Sequence, residues 1–235
     1  MTHGDSLVLT TEATQRSLEE RLGEALAPHR DAHRPRDNYA AVDTFMAATS
    51  RHLAAVDAVL VKRVRHGVPG GEGVSQEYLH VARQLEHTLA LMKGKLYGEA
   101  HAIHLEWPAL WEAARAQLEA HNRSERAMVG ALVRHGDPAE IDGLARRVFD
   151  AETHGPTRPH PNSPHTGIFG LAARRIWAYA DRFWDAAEGR VIPEPVRPRP
   201  HHHDSLVGQY LVADPKFDAE ATIVEHRHGP HPKAG

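Results

Sequence analysis

The stretch WPALWEAARAQLEAHNRSERAMVGALVR, residues 107–134, decides the fold. At about 100° per residue, Trp111, Ala114, Leu118, His121, Glu125, Met128 and Leu132 fall within roughly a third of a helix's circumference. Pro108 suits the first turn of such a helix, where its missing N–H is no loss. The stripe is apolar except for His121 and Glu125, which lie near its centre. A carboxylate on a core face is costly unless it is paired. Either His121 and Glu125 bond each other at i, i+4 or pair with arginines at a bundle edge, or they are adjacent ligands of one cation held between helices. Imidazole plus carboxylate suits iron, manganese or zinc.

The segments on either side repeat the helical period. Residues 11–29 carry Leu18, Leu22 and Leu26 on one face, and Pro35 interrupts the chain after them. Residues from about 38 to 65 carry Val42, Phe45, Thr49, His52, Leu53, Val56, Val59 and Leu60 on one broad stripe, with His52 near its edge. HGVPGGEGVS reads as a loop. From about 76 to 98 the apolar face is Val81, Leu85, Leu89, Met92 and Leu96, and His80, Gln84 and His87 point away from it. Beyond 134, Asp137, Pro138 and Glu140 form a helix-start signature. The helix they open runs to about 152 with Ile141, Leu144, Ala145, Val148 and Glu152 in line. His154 follows at its end, just before Gly155-Pro156. Residues 168–188 form a last amphipathic segment, and a Pro- and His-rich stretch follows, with SLVGQYLV (205–212) its one apolar part.

These segments predict an all-α chain. Residues 1–37 are an N-terminal helix and linker, and 38–190 a helical bundle. Its up-down four-helix core spans about 38–154, with the N-terminal and 168–188 helices packed outside it. Residues 191–235 are a tail without fixed structure.

The totals narrow the function. At 235 residues with 41% hydrophobic, the chain can bury a core. The absence of cysteine excludes disulfides, thiolate metal sites and cysteine nucleophiles. A net charge of -3 and no basic run argue against nucleic acid. No apolar run reaches bilayer length and the start, MTHGDSLVLTTEATQ, has no basic region followed by an apolar run, so a cytoplasmic chain with no membrane partner is expected. No nucleophile–base motif or phosphate loop argues for those enzyme classes. The 20 histidines are the unusual total, because histidine is the commonest protein metal ligand.

The sequence resembles the hemerythrin-like, or HHE cation-binding, family of the actinobacterial type. The resemblance is carried by DTFMAATSRHLAAVDAVL (43–60), LEHTLALMKGKLYG (85–98), LEAHNRSERAMV (118–129) and PTRPHPNSPHTG (156–167), followed by RFWDAAEGRVIPEP. It implies an up-down four-helix bundle holding non-haem iron, one or two ions, with ligands on all four helices. Carried over by position, the ligands are His52, His87, His121 with Glu125, and, on the fourth helix, Glu152 and His154. Where the family has a carboxylate four residues after the second-helix histidine, this chain has Leu91. The implied function is binding or sensing of O2, NO, peroxide or iron. Two other functions compete: a His-rich metal-trafficking module using the tail, and a helical interaction protein with a lapsed metal site. From its place on the apolar stripe, Glu152 is the expected fourth-helix carboxylate ligand, against the alternative of a Glu152–Arg158 ion pair. Asp57 as a helper of His52, and His160, His165 and His201–His203 as extra ligands, are weaker expectations than solvated or capping roles.

Overall fold

The computed structural model describes residues 4–27, 36–99, 102, 104–141, 143–157 and 193–198, with side chains in the second segment from Tyr39 onward. The expected 168–188 helix, Arg158, His160, His165, His201–His203 and residues 205–212 lie outside the described residues. Among the described residues all regular structure is helical. None of these helices is long and apolar enough to cross a membrane.

Helix α1 (Asp5–Leu26) starts earlier than the leucine pattern suggests. Its first turns, SLVLTT, contain β-branched residues with modest helix propensity. Packing overrides that weakness: Leu7 is buried, and the Thr10 hydroxyl donates to the Ser6 carbonyl at 2.6 Å. Helix α2 (Arg36–Val56) continues through one π turn (Asp57–Val61) into α3 (Lys62–Gly67). Helix α4 (Gly71–Leu96) begins inside what reads as a glycine loop. Gly71 is required there, since a Cβ at this position would sit 1.8 Å from the Val64 carbonyl oxygen. The reversal between α3 and α4 is therefore as tight as two backbones allow.

Helix α5 (Trp107–His135) has Pro108 in its first turn, and its last-turn carbonyl of Leu132 accepts from the Gly136 N–H. Asp137 caps the next turn, its Oδ1 accepting from the Ala139 N–H at 2.9 Å. The single helix expected over 138–152 is divided. Helix α6 (Pro138–Ile141) ends before Gly143, and α7 (Leu144–His154) resumes after it. Gly155 is extended and its N–H bonds the Glu152 carbonyl, so α7 stops where Pro156 disfavours a further turn.

Apolar burial holds the elements together. Phe45, Leu53, Leu60, Leu85, Leu89, Met92, Leu118, Met128 and Leu144 are fully buried, each contributing about 1.5–3 kcal/mol relative to exposure. Helix α4 packs most extensively on α5, and α2 packs on α7 and α4. Helix α1 packs against α2, α5 and α7 and buries Leu7, Leu18, Leu22 and Ala25. One of its polar side chains, Gln15, is buried with them.

Candidate metal centre

The helical stripe on α5 carries its two polar members inward, with His121 0% and Glu125 1% exposed. Across from them α2 presents His52, and α7 presents Glu152, at 2% and 4%. One ligand atom each from His52, His121 and Glu125 lies within 4.8 Å of the other two. Among the described residues this is the one such convergence, and the three side chains could hold a metal ion.

The hydrogen bonds show how each donor is aimed. His52 Nε2 lies 3.2 Å from both oxygens of Glu125. Its Nδ1 lies 2.5 Å from Glu152 Oε1. The two carboxylates thus sit on opposite edges of one imidazole. Glu152 turns inward, as its stripe position predicts, but its carboxylate bonds the far edge of His52 and stands outside the group of three. The rings of His52 and His121 meet edge to face at 5.6 Å. His121 does not bond Glu125. Its Nε2 lies 3.2 Å from the Tyr78 hydroxyl on α4, and its Nδ1 lies 3.4 Å from Asn122 Oδ1. Since Asn122 Oδ1 only accepts, Nδ1 carries the proton and Tyr78 donates to Nε2.

Electrostatics separate the two histidines. Burial disfavours the charged form of His52, but Glu125 and Glu152 outweigh it and push its pKa up to about 10. His121 is held down to about 4, chiefly by burial, with the His52 charge adding to the effect and Glu125 opposing it. Glu125 ends below its ordinary value: burial raises it, and the His52 charge and hydrogen bond more than reverse that. Without a cation, then, an imidazolium is clasped between two carboxylates beside a neutral imidazole. Burial also raises the Tyr78 phenol well above 10, so it remains a donor. A divalent ion bound at Nε2 would take the place of the His52 proton, while Glu152 kept its bond to Nδ1. Carboxylate-to-imidazole bonds of this kind fix the orientation of metal-binding histidines.

Two of the six residues named from the sequence lie elsewhere. His87 is exposed on α4. His154 is exposed at the end of α7, where its Nδ1 donates to the Asp150 carbonyl at 2.7 Å. Leu91 is half-buried against the core. Asp57, in the π turn, is buried. Sequence reasoning assigned no role to Gln15, Tyr78, Asn122 or Arg51. The Arg51 guanidinium links chain segments beside the cluster, with Nε donating to the Glu152 carbonyl at 2.7 Å and Nη1 to the Pro193 carbonyl at 2.9 Å. Residues Pro193–Val196, together with His52 and Glu152, line a cavity of about 30 Å³. Comparisons with family models, curated proteins and solved structures find no match to this chain.

Proposed function

We propose that this chain is a non-haem iron protein of the hemerythrin-like kind. In this reading α2, α4, α5 and α7 make an up-down four-helix core, and His52, His121 and Glu125 hold the ion. One observation carries it: three buried N, N and O donors from two helices converge within 4.8 Å. That donor set fits a single borderline cation such as iron, manganese or zinc. A second ion would need donors beyond these three, so the reading favours one ion. Iron bound there would supply redox chemistry and open coordination positions for a small ligand such as O2, NO or peroxide. The chain's own contributions are to keep the donors dry and to aim His52 through Glu152.

Metal analysis of purified protein tests this, with and without residues 199–235 and with Glu125→Ala and Glu125→Gln. Iron retained after tail removal and lost in both Glu125 variants is the expected pattern. Iron that leaves with the tail, or survives in both variants, would falsify the reading. A bound ion at 100 times its dissociation constant also adds about 2.7 kcal/mol of stability, so chelation should lower the melting temperature.

A second reading is a helical interaction protein whose polar cluster needs no ion. The observation favouring it is that the cluster is already internally bonded: His52 has two carboxylates, and His121 has Tyr78 and Asn122. An unchanged melting temperature on chelation would select this reading.

A further inference from the structure

We infer that Gln15 is a positioning residue for the cation site: helix α1 uses it to hold Glu125 Oε2 and so fix how the carboxylate faces His52 and the ion. This rests on the metal reading above and adds an element that the reading does not require, a fifth helix that aims the ligands.

The Gln15 side chain is buried, and both ends of its amide are engaged. Nε2 donates to Glu125 Oε2 at 2.8 Å and to the Asn122 carbonyl at 3.2 Å. Oε1 accepts from Arg126 Nη1 at 2.5 Å. Flipping the amide would set its oxygen against two acceptors and its NH2 against a guanidinium. The orientation is therefore fixed, and the exposed Arg126 fixes it from outside. One turn further along α1, Glu19 Oε1 accepts from Asn122 Nδ2 at 2.9 Å, which leaves Asn122 Oδ1 directed at His121 Nδ1. Residues 15 and 19, four apart on one helix face, thus steady both donors of α5, Glu125 directly and His121 through Asn122. A carboxylate with one oxygen held by a neutral donor presents its other oxygen in a defined direction, which is how hydrogen-bonded partners tune a metal ligand.

The test uses Co2+ as probe on full-length protein, reading its dissociation constant and visible absorption bands. The variants are Gln15→Leu, Arg126→Met, the double variant, and Glu125→Ala to measure background binding by the His-rich tail. Gln15→Leu should weaken Co2+ binding about 10- to 100-fold and change the band pattern. Arg126→Met, an exposed change, should weaken it less and should add nothing in the Gln15→Leu background. Co2+ affinity and bands that match wild type in both single variants would overturn the role of Gln15 while leaving the metal reading intact. Additive effects in the double variant would overturn the part given to Arg126, since it would then not act through Gln15. Wild type binding no tighter than Glu125→Ala would overturn the metal reading and this inference with it.

Discussion

Replacing Glu152 with Gln separates an orienting carboxylate from a metal ligand. The side chain is buried and its Oε1 lies 2.5 Å from His52 Nδ1. Glutamine keeps an acceptor there but loses the charge. A hydrogen bond to a charged group contributes about 1.5–3 kcal/mol, so the cation-free variant should lose about that much. At roughly 2–4 °C per kcal/mol for a chain of this size, the melting temperature should drop by about 3–12 °C. The effect depends on pH. The pKa of His52 is raised to about 10, so its contribution is complete below about pH 6.5 and is lost as pH rises through 10. The gap between wild type and variant should therefore be widest at and below about pH 6.5, shrink as pH rises from 6.5 to 10, and be nearly closed above 10. Cation affinity should fall about 10- to 100-fold without vanishing. Thermal melts at several pH values and Co2+ titrations measure both effects. Binding abolished as completely as in Glu125→Ala would show Glu152 to be a direct ligand. A gap of constant size from pH 6.5 to beyond 10 would show that the His52 charge is not what Glu152 stabilises.

Other outcomes follow from the same geometry. His87→Ala and His154→Ala should leave metal content unchanged and shift stability by no more than about 0.5 kcal/mol, as exposed substitutions do; loss of iron in either would return that residue to the ligand set. The two buried histidines should set a stability maximum near pH 6.5 in cation-free protein. Above it the His52 contribution is lost. Below it the unfolded chain takes up a proton that His121, held at about 4, refuses, so stability falls as pH drops from 6.5 through 4. Urea melts across this range measure both limbs, and His121→Gln should flatten the acidic one.

The inward face of α5 was legible because helical period is a property of the sequence alone. It placed His121 and Glu125 inside, and the same arithmetic placed His52 and Glu152 on buried stripes. Period fixes a face but not a partner. The His121–Glu125 pair suggested by i, i+4 spacing does not form, because each finds a better neighbour on another helix. On α4, Tyr78 and His87 are nine residues apart, about 180° around the helix. A helix that turns Tyr78 toward His121 must turn His87 outward, and the apolar stripe already pointed that way. Gln15 falls within about 20° of Leu22 and Leu26 on the leucine stripe of α1, so period places it inward, but a neutral amide beside the buried Thr10, Thr11 and Thr14 names no partner. The start of α4 was hidden for a different reason: glycines that read as a loop are what lets Gly71 approach Val64.

The bonds that build the cluster join residues far apart in the chain. His52 reaches Glu125 across 73 positions and Glu152 across 100, and Gln15 reaches Glu125 across 110. Helical turns form from local contacts and form early, whereas these bonds need several helices already docked. The polar cluster is thus expected to form late in folding and to lie outside its nucleus. Substitutions within it should speed unfolding and leave the folding rate nearly unchanged, which stopped-flow measurements on Glu152→Gln would read directly. On that expectation the lifetime of the folded chain, more than its rate of formation, is what these buried charges should govern.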